Sequence, residues 1–184
     1  RKPSANQPTG GDEQASDAKN QNSDKKPKGH GRNSAIAYTG ANIVDVGGES
    51  TRPGSITINS NLEWKRIKHV IQNFKKKYKN ICLSIDTRKS DLMIKSIKYG
   101  ADIINDVSGF EFDKHSLKKL KKYKICKVIH HMQGTPNTMQ NKPKYKNVLL
   151  DIYDYFEKKI IESQNDKKII LDPGIGFGKT LKHN

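Results

Sequence analysis

Residues 81–87 read Ile-Cys-Leu-Ser-Ile-Asp-Thr, a short apolar run that stops on a carboxylate and a hydroxyl. A run of this length, rich in β-branched residues, predicts a strand over Ile81–Ile85. The same pattern recurs on both sides, at Asn42–Val46, Ala101–Ile104, Ile125–Ile129 and Lys168–Leu171. Such apolar strands are expected where both sheet faces are covered. Each run gives way to polar groups: Asp45 with Glu49, Asp86 with Thr87, Asn105 with Asp106, His130 with His131, and Asp172.

Longer amphipathic segments separate the runs. Trp64, Ile67, Ile71, Phe74 and Tyr78 fall at steps of three and four, as do Leu149, Ile152, Phe156 and Ile160, so each set predicts one helical stripe. Shorter helices are expected at Ser90–Tyr99, closed by Gly100, and at Lys114–Tyr123. The predicted order is βαβαβαβαβ, the pattern of a parallel sheet built from βα units. In that architecture the strand carboxyl ends share one edge, and all five polar ends converge there, as in a TIM barrel or a doubly wound sheet. An Asp or Asn at one such end can simply cap a helix or start a turn. Five in register argue for a site.

Composition bounds the remaining possibilities. The 184 residues suffice for one domain, and no apolar run approaches the ~20 residues of a membrane-spanning helix. No secretory signal pattern opens the chain, which points to a cytoplasmic protein. Residues 1–34 contain Ala as their only hydrophobic type. They predict a disordered low-complexity tail or linker, with folded sequence over 35–184. The net charge is +16, but the 35 basic residues comprise 30 Lys and 5 Arg, with no basic stripe interleaved with aromatics. A Lys-rich solvated surface explains this charge better than specific nucleic-acid binding.

Cys82 and Cys126 lie in apolar runs and read as buried reduced thiols. His130 and His131 are adjacent on a strand and point to opposite faces, so they do not make a zinc pair. Gly47, Gly48, Pro53 and Gly54 surround Glu49, Ser50, Thr51 and Arg52. They predict a mobile loop whose guanidinium can hold a carboxylate or pyrophosphate. The segment Asp172-Pro-Gly-Ile-Gly-Phe-Gly-Lys-Thr180 lacks P-loop spacing. Its glycines would let backbone approach a flat ligand, with Phe177 available for stacking. Asp86, Asn105 and Asp172 together could present acceptors and an amide to a heterocycle with an amidine-like NH and NH2 edge.

At these residues the chain resembles dihydropteroate synthase, a pterin-binding family. The resemblance rests on GANIVDVGGESTRPGS from Gly40, SIDTRK from Ser84, ADIINDVSGF from Ala101, HMQGTPNTMQ from His131 and ILDPGIGFGKT from Ile170. It implies an α/β fold that is a partial TIM (β/α)8 barrel, about strands two to six of eight, preceded by the tail. It implies condensation of 6-hydroxymethyl-7,8-dihydropterin pyrophosphate with 4-aminobenzoate, a cytoplasmic step of folate biosynthesis and a sulfonamide target. By motif, Asp86, Asn105 and Asp172 resemble residues that hold the pterin, and Met132, Gly176 and Phe177 resemble its pocket walls. Thr51, Arg52 and Pro53 resemble the loop over pyrophosphate and aminobenzoate, so that Arg52, Asp86 and Asp172 are the expected catalytic residues. The resemblance also implies Mg2+ on the pyrophosphate and a homodimer for the whole protein. The metal-side Asn of the family's first strand has no counterpart here. A pterin-binding methyltransferase domain acting with a corrinoid, and a non-enzymatic basic binding protein, are the alternatives; the GESTRPGS loop followed by HMQG favours the synthase.

Overall fold

The computed structural model describes residues 40–164 and 166–184; the expected tail over 1–34 lies outside them. The elements are β1 (Ile43–Gly47), α1 (Ser60–Lys77), β2 (Cys82–Asp86), α2 (Ser90–Lys98), β3 (Ile103–Asp106), α3 (Ser116–Leu120), β4 (Cys126–His130), α4 (Val148–Glu162), β5 (Ile169–Asp172) and a 3-10 turn, Leu181–His183. Each strand begins one or two residues later than the apolar run suggests and ends on or beside its polar group. The helix over 114–123 shortens to the single turn and a half of α3.

Local chemistry sets the helix limits. Asn59 caps α1 by accepting from the Leu62 amide at 2.9 Å, and Lys75, Lys76 and Lys77 occupy its last turn, where cations meet the negative end of the helix dipole. Asn147 caps α4 in the same way, accepting from the Leu149 and Leu150 amides. Gly100, at φ +95°, closes α2 as expected.

All four strand pairings are parallel, and the spatial order β1-β2-β3-β4-β5 is the order of the chain. A doubly wound sheet reverses direction from its starting strand; this one does not. It follows the sequential winding of a barrel. The core cluster unites Ile67, Ile71 and Phe74 of α1, Leu92 and Met93 of α2 and Leu120 of α3 with Leu83, Ile85, Ile104 and Ile129 of the strands, and Tyr155 and Phe156 of α4 pack against it. Burying each large aliphatic or aromatic side chain there contributes about 1.5–3 kcal/mol.

The strand period of two puts the alternate residues on the opposite face: Asp45, Ser84, Asp86, Ile103, Asn105, Val128, His130, Ile170 and Asp172. Cover on that face is uneven among the described residues. Ser84, Ile103 and His130 are buried, whereas Ile43 is 53% and Ile170 45% exposed at the two sheet edges. This corrects the expectation of strands covered on both faces. It also corrects the cysteines: Cys82 is exposed and Cys126 half-buried, because both fall on the face away from the helices. The α4 stripe is likewise incomplete, with Leu149 exposed. No helix among the described residues is long and apolar enough to cross a membrane.

Candidate active site at the strand carboxyl ends

Register brings the polar ends level. Gly47 pairs with Asp86, Asp86 with Asn105, and His130 with Asp172. At Gly47 a Cβ would lie 3.3 Å from Asp86 Oδ2, so the missing side chain leaves room beside that carboxylate. The Asn105 amide donates to Asp45 Oδ2 at 3.4 Å, joining the ends of β1 and β3 across β2. Its Oδ1 is buried without a hydrogen-bond partner. A buried acceptor left open in this way is costly unless a ligand donor meets it.

The electrostatics favour a proton on Asp86. Burial, then the neighbouring carboxylates Asp45, Asp106 and Glu63, push Asp86 up to about 7. Near neutral pH its carboxyl is therefore part protonated, able to donate as well as accept. Asp106, although adjacent to Asn105, points to the helix side and is fully buried. Burial raises it to about 6, while it accepts from the Ser108 amide at 2.8 Å and the Ser108 hydroxyl at 2.6 Å, shaping the turn after β3. Of the two polar residues ending β3, one thus faces the site and the other builds its support.

The β5 end is held from behind. Asp172 Oδ1 accepts from the Gly174 amide at 2.8 Å. Gly174 has φ +68°, and a Cβ there would sit 2.1 Å from the His131 carbonyl oxygen; at Gly178 it would sit 2.7 Å from the Gln133 amide nitrogen. These glycines bring backbone against the chain following β4. Gly176 differs, with φ +80° and open space around its Cβ position. Phe177 is half-buried and meets the His130 ring edge-on at 4.6 Å.

Only His130 lies within β4; His131 follows it. His130 Nδ1 lies 3.0 Å from the Val107 carbonyl oxygen, and His131 Nδ1 lies 3.0 Å from Lys179 Nζ. Burial, the Lys179 cation and His130 drive His131 down to about 4, which keeps it neutral and able to accept from that lysine. Burial also lowers Lys179 to about 8. Its ammonium donates to the carbonyls of Gly174 at 3.0 Å and Phe177 at 3.1 Å, tying the β5 loop to the end of β4. Met132 is half-buried beside this cluster in sequence.

On the opposite side, the loop after β1 leaves Arg52 and Pro53 exposed and Thr51 half-buried. The Gly54 amide donates to the Pro136 carbonyl at 3.3 Å, so this loop touches the one following β4. Glu49, read from sequence as a strand-end polar group, instead turns into a buried ion-pair cluster with Arg88 and Lys89. Sequence reasoning missed that cluster, together with the role of Lys179. The available signal was the crowding of Asp86, Thr87, Arg88 and Lys89 directly after a strand, where four polar residues exceed what one helix cap requires.

The family model described as pterin binding enzyme matches residues 11–184. The dihydropteroate synthase of Escherichia coli (strain K12) is 38% identical over 149 residues, covering 79% of this chain and 52% of that protein. The solved structure of the Yersinia pestis dihydropteroate synthase in a sulfonamide drug complex aligns with a TM-score of 0.77 at 34% identity, covering 83% of this chain and 56% of that one. The Xanthomonas albilineans dihydropteroate synthase with 4-aminobenzoic acid aligns with a TM-score of 0.73 at 29% identity, covering 83% and 54%. The chain thus spans about half the length of the curated relatives it matches. With sequential parallel winding, polar strand ends in register and a family match over most of its length, this chain belongs to the pterin binding enzyme family.

Proposed function

We propose that this chain supplies the pterin-binding part of a dihydropteroate synthase. That enzyme condenses 6-hydroxymethyl-7,8-dihydropterin pyrophosphate with 4-aminobenzoate, giving 7,8-dihydropteroate and pyrophosphate. The observation that carries this reading is the buried, unpartnered Asn105 Oδ1 level with Asp86 on one strand edge. A pterin presents ring NH and NH2 donors next to ring acceptors, and a carboxylate and an amide side by side can pair with both. In this reading Asp86, Asn105 and Asp172 hold and orient the ring, while Met132, Gly176 and Phe177 wall its pocket. Thr51, Arg52 and Pro53 close over the charged end, where Arg52 balances the charge of the departing pyrophosphate. The pterin C–O bond breaks, the arylamine nitrogen takes the methylene carbon, and that nitrogen loses a proton. Orientation and charge balance do the work, with no covalent enzyme intermediate.

Mg2+ belongs to the same reading as a partner of the pyrophosphate. Among the described residues no three His, Cys, Asp or Glu side chains gather to hold a metal, so these residues do not compose that site and no step here runs through it. The reading also carries a homodimer and a cytoplasmic compartment for the whole protein, and a sulfonamide as a competitor of the aminobenzoate.

Calorimetric titration with a pterin analogue tests the assignment. Asn105→Ala and Asp172→Ala should each weaken binding by about 1–3 kcal/mol, because ligand groups are left buried and unpaired. Unchanged affinity in both variants removes these strand ends from the pterin site.

A further inference from the structure

The loop between β1 and α1 begins and ends on one carboxylate. Glu49 Oε2 accepts from Arg88 Nε at 3.0 Å and Nη2 at 2.6 Å, and Oε1 accepts from Lys89 Nζ at 2.9 Å. That same Oε1 accepts from the backbone amide of Ile58 at 2.9 Å, nine residues along the chain. Arg88 Nη2 reaches the Thr57 hydroxyl at 3.2 Å, and Lys89 Nζ donates to Glu63 Oε2 at 2.5 Å on the first turn of α1. The Glu49 side chain is 4% exposed.

Two anions and two cations make the cluster neutral, which is how burial of four charges becomes tolerable. Burial by itself would push Glu49 up, but the hydrogen bonds from Lys89, Arg88 and the Ile58 amide outweigh it and hold the carboxyl below its usual range. The base of the loop is therefore closed at both ends. Between the ends, Arg52, Pro53, Gly54, Ile56 and Thr57 are exposed. Arg88 and Lys89 also follow Asp86 by two and three residues, so the base is built on the strand end that carries the ring-facing carboxylate.

We propose that Glu49 is a positioning residue: by stapling both ends of the 50–57 loop to Arg88 and Lys89 at the end of β2, it sets where the Arg52 guanidinium can reach. The inference rests on the proposed role of Arg52 toward the anionic end of the substrate. Glu49→Gln keeps the shape but removes one of the cluster's two negative charges and leaves one acceptor oxygen where there were two, so either Arg88 or the pair Lys89 and Ile58 faces an amide donor.

Two measurements on the chain decide it. In hydrogen exchange followed by mass spectrometry, Glu49→Gln should speed exchange over residues 50–58 by about tenfold, the equivalent of roughly 1.4 kcal/mol of local opening, with β2 and the buried face of α1 unchanged. In titration with inorganic pyrophosphate, Glu49→Gln should weaken affinity about as much as Arg52→Gln, and the double variant should be no weaker than Arg52→Gln alone. Losses that multiply, or loop exchange that stays at the wild-type rate, overturn the proposal. Should Glu49→Gln fail to fold, Thr57→Val decides, because it leaves every ion pair intact: faster exchange confined to 55–58 supports the staple and no change overturns it. Absence of pyrophosphate binding in the wild type would count against the function proposed for Arg52, leaving the exchange experiment to judge the loop base on its own.

Discussion

Asp86 illustrates how a residue proposed for ligand binding can oppose the fold that carries it. Its carboxyl is raised to about 7 in the folded chain against an ordinary 3.8. Below pH 4 it is protonated whether the chain is folded or not. As pH rises from 4 to 7 the unfolded chain ionises it while the folded chain keeps the proton, so folding loses stability across that window and the penalty is complete above it. Asp86→Asn should therefore raise the urea midpoint at pH 8, with the gain shrinking toward zero at pH 4, while weakening pterin binding. An equal gain at both pH values would mean that packing, not ionisation, sets the effect. Asp86, Asn105 and Asp172 were legible in the sequence because each terminates an apolar run, where strand period and parallel topology fix its location. Glu49, Lys179 and Asp106 were not. Glu49 and Lys179 are oriented by partners distant in sequence, Arg88 at 39 residues and His131 at 48, whereas Asp106 is turned to the helix side by the strand period and held there by Ser108.

Among the elements, the segment following β5 shows two kinds of glycine. Gly174 combines a positive φ with a backbone neighbour that would lie 2.1 Å from any Cβ, whereas Gly176 has the positive φ alone. Gly176→Ala should cost only the left-handed conformation, about 1–2 kcal/mol. Gly174→Ala adds displacement of the β4 end and should cost more than about 3 kcal/mol, read from denaturant midpoints. Equal costs would show that the β4 end yields freely. Sequence alone placed both residues in one Gly-rich loop and could not separate them, since close approach depends on how strands β4 and β5 pair. The strands themselves were legible to within two residues. Their starts ran early because Asn42, Ala101 and Asp102 belong to the connections entering the sheet, and apolar periodicity does not distinguish an entering segment from the strand.

For the molecule as a whole, sequential order and one helix layer leave β1 and β5 as free sheet edges among the described residues. Apolar surface accompanies the second edge: Ile170, Leu171, Leu150, Tyr153 and Ile161 are all exposed. Unpaired strand edges beside apolar surface seek partners. The 184-residue chain expressed alone should self-associate, seen as a concentration-dependent shift in gel filtration, and should not form pteroate. A monomeric peak with product formation would overturn both expectations. That the fold is α/β with a parallel sheet was legible from the recurrence of runs and stripes, whereas barrel-type winding followed only from the family resemblance. The uneven cover of the second face was not, because Ile and Val in a strand look alike whether or not a neighbour lies above them.

The lysines carry a consequence of a different kind. Among the described residues most lysines stand in solvent, whereas Lys89, Lys127, Lys159 and Lys179 are buried and bound to carboxylates or carbonyls. An amine-reactive reagent would modify the exposed group first and reach these four only when their surroundings open. The four report on separate places: the β2–α2 turn, the start of β4, the last turns of α4 and the β5 loop. Timed acylation followed by peptide mapping would thus read the opening of each region separately, so that the abundance of lysine becomes a built-in chemical clock for local unfolding.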